Sequence, residues 1–316
     1  MATKLWLIGS GIMSIDYAKV LNALNVNYSV IGRGTDSADK FKNVSGKDVI
    51  TGGLTKFLSD NPDPADYAIV SVGVEQLYNT TKELLEYRIK NILVEKPGAL
   101  YSEELKKLKN LAKQSSSKVF IAYNRRFYSS VLKAKEIIAA DGGVTSFNFE
   151  FTEWTHTIDC LEKGKGVKEN WFISNSSHVS DLAFYLGGIP KKIAAFNSGK
   201  NLIKWHPSSS VFSGSGISET GALFSYQANW GAPGRWSVEI LTSANRLIFR
   251  PMEKLQIQKL KSVAIEPVEL DDKIDVDFKP GLYKQTEFFL EGKTREFCTL
   301  SEQQRLLKIY RKIAGY

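Results

Sequence analysis

Through the first third of the chain the apolar residues gather into short unbroken runs: Leu5-Trp6-Leu7-Ile8, Ala68-Ile69-Val70, Ile92-Leu93-Val94 and Val119-Phe120-Ile121-Ala122. Runs of this length, bounded by polar residues, fit strands that are covered on both faces. Strands are therefore expected at 4–8, 28–31, 68–72, 91–94 and 118–122. Between them apolar positions recur at helical spacing, first as Ile15, Ala18, Val20, Leu21 and Leu24, then over 77–87 and 102–113. Strand alternating with helix predicts a doubly wound, mainly parallel α/β sheet of the Rossmann type for residues 1–122.

Beyond residue 122 the pattern changes. An amphipathic helix is expected at 130–140, ending at Gly142-Gly143, followed by strand-like stretches at 146–151, 222–230, 236–241, 246–250 and 254–260. Trp236, Val238 and Ile240 alternate with Ser237 and Glu239, the period required by a sheet with one covered face. Residues 123–316 thus read as an α+β domain with an open, mainly antiparallel sheet. The Ser- and Gly-rich segment 197–219 is expected to be loop. A last helix at 301–313, capped by Ser301 with Glu302 and Gln304 in its first turn, either stays with this domain or returns to the first.

The first strand runs straight into Gly9-Ser10-Gly11-Ile12-Met13-Ser14 and then into a helical pattern. Glycines let a backbone approach a pyrophosphate, and a helix N-terminus supplies free N–H groups and a favourable dipole. Ser14 stands where a third Gly or Ala is usual. The second strand ends in Gly32-Arg33-Gly34-Thr35, without the acid that would hold the ribose hydroxyls of NAD. A guanidinium fork suits a 2′-phosphate instead, so NADP(H) is favoured and NAD(H) is the alternative. One charge-assisted hydrogen bond contributes about 1.5 to 3 kcal/mol, a preference of roughly ten- to a hundredfold. The competing reading of Arg33 is a solvated loop residue.

Composition narrows the picture. A chain of 316 residues with 43% hydrophobic content has room for two domains, and no apolar run reaches membrane-spanning length. A cytoplasmic protein is expected. Cys160 and Cys298 lie far apart, and His156, His178 and His206 are scattered, so neither a disulfide framework nor a metal site is expected. The Asn-x-Ser/Thr triplets at Asn43, Asn79 and Asn175 are then chance matches. A net charge of +8 favours an anionic substrate such as a nucleotide sugar or phosphate ester, besides the cofactor. Nucleic acid is disfavoured, because the lysines are spread along amphipathic helices rather than concentrated in a basic arm.

Taken together, the glycine turn, the tripeptide Glu95-Lys96-Pro97, the pattern His178-x-x-Asp181-x-x-x-x-Leu186-x-Gly188 and the junction Tyr123-Asn124-Arg125-Arg126-Phe127 resemble the oxidoreductases grouped around glucose-fructose oxidoreductase and inositol dehydrogenase. The resemblance covers essentially the whole chain. It implies cofactor contacts from Gly9, Ser10, Gly11, Ile12, Met13, Arg33, Ser71, Val72, Glu95, Lys96 and Pro97, and it implies that Lys96 and His178 flank the substrate. Family members commonly carry an Asp four residues before the His. That position here is Ser174, followed by Asn175, an amide suited to bonding a sugar.

The residues themselves suit this chemistry. Lys96 follows an apolar strand of a parallel sheet and can donate to a carbonyl oxygen as negative charge develops there; the plainer reading is a surface lysine before a strand-ending proline. Glu95 pairs with Lys96 or caps a neighbouring helix. His178 has the side chain whose unperturbed pKa lies nearest neutrality, which suits proton transfer. Asp181, three residues on along the helix expected over 177–186, either fixes the His178 tautomer or serves as a structural contact. Tyr123, Asn124, Arg126 and Asn175 are expected near the substrate, with Arg126 able to meet an anionic group. Trp154, His156 and Trp171 either stack on a sugar or nucleobase or are structural aromatics.

The expected activity is reduction of a keto group on a sugar or nucleotide sugar, or its reverse, in a homodimer or homotetramer. The alternatives are an NAD-linked sugar or polyol dehydrogenase, a glycosidase that uses NAD transiently, and a non-catalytic nucleotide-dependent regulatory binder.

Overall fold

Every apolar run of the first third forms a strand in the computed structural model of the protein, which describes residues 4–316. In chain order the elements are β1 (Lys4–Ile8), α1 (Ile12–Ala23), β2 (Asn27–Ile31), α2 (Thr35–Ser45), β3 (Val49–Ile50), α3 (Gly53–Ser59), β4 (Tyr67–Val70), α4 (Leu77–Glu86), β5 (Asn91–Glu95), α5 (Ser102–Ser115) and β6 (Lys118–Ala122). These strands are all parallel, in the spatial order β6-β5-β4-β1-β2-β3. Leu5, Trp6, Leu7, Ile69, Val70, Leu93 and Val94 have no exposed surface. Each such side chain contributes roughly 1.5 to 3 kcal/mol on burial, which is why unbroken runs outlast alternating ones at the centre of the sheet. Trp6 packs edge-on against Phe57, 5.0 Å between centroids. The winding reverses between β1 and β4, so the loops that leave their carboxyl ends diverge and open a crevice.

The second unit comprises Arg125–Ile274 and Arg305–Tyr316. It contains α6 (Ser129–Ala140), β7 (Ser146–Glu150), α7 (Thr155–Asp159), one π-helical turn at Phe172–Ser176 that runs directly into α8 (Ser177–Gly187), β8 (Pro190–Ser198), β9 (Val211–Ser218), β10 (Leu223–Asn229), β11 (Ser237–Leu241), β12 (Asn245–Phe249), β13 (Gln256–Lys259) and β14 (Glu266–Pro267). The sheet order is β14-β13-β12-β11-β7-β10-β9-β8, antiparallel except where β10 runs parallel to β7. One face is an aromatic layer in which Phe184 of α8 meets Phe149 and Phe224 edge-on at 5.4 and 5.6 Å. The helix lies so close that a Cβ on Gly187 would fall 2.3 Å from the Phe147 ring. The other face is open, with Ser225 and Gln227 exposed beside Leu223.

The loop expected at 197–219 is corrected here: β8 continues to Ser198 and β9 occupies Val211–Ser218, leaving only the stretch between them irregular. Two inward positions of β9 are glycines, which masks the alternation. The missing side chains are supplied by the partner strand, where Phe224 lies across from Gly216 and Tyr226 from Gly214. A Cβ at Gly216 would sit 2.5 Å from the Phe224 ring, and one at Gly214 would sit 2.4 Å from the Tyr226 ring.

After α9 (Lys273–Asp277) the chain continues through α10 (Leu282–Leu290), β15 (Cys298–Thr299) and α11 (Leu300–Ala314). Asp275–Gln304 belongs to the first unit, whose other segment ends at Asn124; the sequence pattern draws its boundary at 122 and keeps most of this returning segment in the second domain. Phe289 packs edge-on against Tyr67 at 5.3 Å, and β15 adds an antiparallel seventh strand beside β6. The cap of α11 is Thr299 rather than Ser301: its Oγ1 accepts the Glu302 N–H at 3.2 Å, three residues into the helix, whereas Ser301 already lies inside it.

Candidate active site

In the first unit the structure brings the glycine turn and the end of β4 together. Gly9 has φ +119°, and a Cβ there would lie 2.5 Å from the Ser71 carbonyl oxygen. Ser14, in the third motif position, is fully buried and hydrogen-bonds through its Oγ to Ser71 Oγ at 2.7 Å, tying α1 to the loop after β4. Ser10 Oγ and Ser37 Oγ are 2.9 Å apart, linking the turn to α2. Gly11 differs from Gly9. Its φ is −86°, ordinary for any residue, and a Cβ would meet nothing within 4 Å. Neither packing nor backbone conformation of the protein requires glycine there. The open space lies at the N-terminus of α1, which has no side-chain cap, and Ile12 beside it is 81% exposed. A pyrophosphate approaching these N–H groups is the requirement that remains, so the residues fit a dinucleotide.

Arg33 is exposed immediately before α2, and its backbone carbonyl accepts the Gly52 N–H at 3.2 Å. Ser71 and Val72 follow β4, on the crevice side of the sheet. Glu95 ends β5, Lys96 follows it, and the Lys96–Pro97 peptide is cis. Glu95 Oε1 accepts the Tyr17 hydroxyl of α1 at 2.8 Å, a partner the sequence did not suggest. Burial raises the Glu95 carboxyl above the usual carboxylate range, against the lowering influence of the Tyr17 bond and the Lys96 charge. The Pro97 carbonyl accepts Gln303 Nε2 at 3.0 Å, which holds the tripeptide from α11. Tyr123 is buried, and Asn124 donates through Nδ2 to the Pro280 carbonyl at 2.9 Å.

In the second unit His178 lies in the first turn of α8 and is 9% exposed. Asp181 is buried and accepts Arg126 Nε at 2.9 Å and Nη2 at 2.6 Å. Arg126 is thus paired with Asp181. Ser174 turns its hydroxyl to the Val167 and Trp171 carbonyls at 3.1 and 3.3 Å. Asn175 donates to Glu153 Oε1 at 3.0 Å, and Ser176 donates to the same oxygen at 2.5 Å. Burial raises the Glu153 carboxyl, while these two bonds and the Arg235 charge lower it. Trp171 is buried, Trp154 and His156 are exposed, and their rings lie 6.3 Å apart. Sequence reasoning did not single out Glu153, Arg235 or the neighbour of His178, Trp236, 6.3 Å away. None of the three sits in a motif, and only the fold gathers them. Among the described residues no group of three His, Cys, Asp or Glu side chains is placed to hold a metal ion, and no helix is long and apolar enough to cross a membrane.

The fold and the glycine turn define a dinucleotide-binding Rossmann unit. Residues 3–123 match the model of the Gfo/Idh/MocA oxidoreductase family, NAD-binding Rossmann fold. A search of curated proteins gives no sequence match. Solved structures share the fold over nearly the whole chain. UDP-N-acetylglucosamine 3-dehydrogenase from Acidithiobacillus ferrooxidans has a TM-score of 0.74 at 15% identity, covering 99% of this chain and 97% of its own. Levoglucosan dehydrogenase, solved with NADH and levoglucosan, reaches 0.79 at 17% identity, covering 99% and 96%. A protein from Desulfitobacterium hafniense with a provisional description as an NADPH-dependent oxidoreductase reaches 0.79 at 15% identity, covering 99% and 95%. At such identities the likeness is one of fold.

Proposed function

We propose that the protein is an NADP(H)-dependent oxidoreductase that reduces a keto group on a sugar or nucleotide sugar, or catalyses the reverse reaction. The observation that carries the reading is Gly11, a glycine at a helix N-terminus that nothing in the protein itself requires. Sugar substrates are supported by the names of structural neighbours, which act on UDP-N-acetylglucosamine and levoglucosan.

Gly9, Ser10, Gly11, Ile12 and Met13 bind the pyrophosphate, Arg33 the 2′-phosphate, and Ser71, Val72, Glu95, Lys96 and Pro97 complete the cofactor contacts. A dinucleotide held by these residues would supply or accept the hydride. Lys96 donates a hydrogen bond to the carbonyl oxygen and stabilises the negative charge that develops on it. His178 gives that oxygen its proton on reduction and takes it on oxidation. Tyr123, Asn124 and Asn175 contribute polar contacts to the sugar, and Arg126, through Asp181, stiffens the helix that carries His178. A cytoplasmic homodimer or homotetramer is part of the same reading, supported by the open sheet face.

The test is a parallel titration of nucleotide-free protein with NADPH and NADH, followed by nicotinamide fluorescence and repeated with Arg33→Ala. NADPH is expected to bind at least tenfold more tightly than NADH, and the variant to erase the difference. A preference for NADH would overturn the cofactor assignment, and no binding of either would overturn the oxidoreductase reading.

A further inference from the structure

Two consecutive arginines of the second unit meet different fates. Arg126 is 2% exposed and its fork is matched by Asp181. Arg125 has a buried Nε with no acceptor, and its guanidinium lies 5.0 Å from the Trp236 ring centre. Arg235 lies at the same distance from that ring and 4.6 Å from the exposed Trp154. The two charges are therefore within twice that distance of each other, and among the described residues no carboxylate pairs with either. Trp236 itself is 8% exposed, and its indole Nε1 is a second buried donor without an acceptor. His178 stands 6.3 Å from the same ring.

Packing of the guanidinium groups against the indole leaves both buried N–H groups, Arg125 Nε and Trp236 Nε1, without an acceptor. A buried donor left unpaired forfeits its solvation, and two beside one ring, under two unneutralised charges, are costly to keep. A neutral sugar hydroxyl would engage the donors and leave the charges as they are. An anionic group would answer both. The acid that faces the cluster, Glu153, does not fill this role: its Oε1 is held by Asn175 and Ser176, and Arg235 reaches it only at longer range than an ion pair.

We propose that Arg125, Arg235 and Trp236 Nε1 form a subsite for an anionic group, phosphoryl or carboxylate, carried by the sugar substrate close to the centre that His178 serves. The proposal rests on the reading of His178 as the acid/base. It narrows the substrate from sugars in general to sugars that bear a negative charge, and Arg fits such a group because its fork matches phosphate and carboxylate oxygens.

Titration calorimetry of NADPH-saturated protein tests it, with UDP, glucose 1-phosphate, glucuronate and neutral glucose as probes against wild type, Arg235→Ala and Arg125→Gln. At least one anionic probe is expected to bind tenfold or more tightly than glucose, and to lose about tenfold or more in each variant. The probe that binds identifies whether the charge is a nucleoside diphosphate, a sugar phosphate or a uronate. Arg235 is exposed, so its alanine variant is expected to melt with the wild type and keeps the test valid where Arg125→Gln folds poorly. The subsite is overturned when no anionic probe binds, when glucose binds equally well, or when binding survives both substitutions. Failure of the oxidoreductase reading shows separately, as absent nucleotide binding; the same titration without nucleotide then still decides, because the variants lie outside the glycine turn.

Discussion

Gly9 and Gly11 stand two positions apart and are glycines for different reasons. At Gly9 the backbone is in the left-handed half of conformational space and a Cβ would press into the Ser71 carbonyl. At Gly11 neither holds. Gly9→Ala is therefore expected to lower stability by roughly 2 kcal/mol or more, read as a fall in the urea midpoint. Gly11→Val is expected to melt within about 0.5 kcal/mol of wild type while losing most of its nucleotide affinity. A Gly11→Val protein that binds NADPH as before removes the support for the pyrophosphate site. The motif was readable in the sequence, but the division of labour inside it was not, because it depends on Ser71, reached only once β4 lies beside β1. The same limit applies to Asp181. Its place three residues after His178 on α8 was legible from helical spacing, whereas its partner Arg126, 55 residues earlier, follows only from the fold.

Elements were legible wherever side chains write their own period. Strand β11 shows it, since Val238 and Ile240 point inward and alternate with polar neighbours. Strand β9 does not, since two of its inward positions are glycines covered by rings from β10. Helix ends were less legible than helices. The start of α11 offers Thr299 and Ser301, both hydroxyl residues, and only the bond from the Glu302 N–H to Thr299 Oγ1 decides between them. Thr299→Ala is expected to cost about 1 kcal/mol and Ser301→Ala no more than about 0.5. Chemical denaturation of the two variants side by side checks the assignment, and a larger loss at Ser301 would reverse it. The π-helical turn before α8 is illegible for a different reason. Its sequence, Phe172-Ile173-Ser174-Asn175-Ser176, has ordinary helical composition, and its widened turn coincides with the bonds that Asn175 and Ser176 donate to Glu153, in the segment between β7 and α7.

For the whole molecule the two-part plan was legible from texture alone, while the return of 275–304 to the first unit was not, because its anchors are contacts of long sequence separation such as the Tyr67 hydroxyl on the Leu290 carbonyl. His206 is a further case: unremarked as one of three scattered histidines, it sets part of the acid stability. It is fully buried among aromatic rings, with Nδ1 2.7 Å from the Ser209 carbonyl and Nε2 2.6 Å from the Tyr316 hydroxyl. The pattern assigns the proton to Nδ1, so that Nε2 accepts from Tyr316, whose oxygen in turn accepts the Phe172 N–H at 3.2 Å. Burial lowers the His206 pKa from 6.5 to about 4. The folded protein thus resists a proton that the unfolded chain takes up, so this contribution is intact above pH 6.5 and is lost as the pH falls through 6.5 towards 4. Its ceiling is on the order of 3 kcal/mol. Glu95 and Glu153 act in the opposite sense, because burial raises their carboxyl pKa values and acid therefore favours the folded state at those two sites. Wild-type stability alone would blur the terms, so the measurement is a comparison. Urea unfolding at pH 7.5 and pH 4.5 is expected to show a larger loss for wild type than for His206→Gln, by about 2 to 3 kcal/mol, with the variant less stable at the higher pH. Equal losses would mean that His206 is protonated in the folded protein, and that Tyr316 does not donate to it.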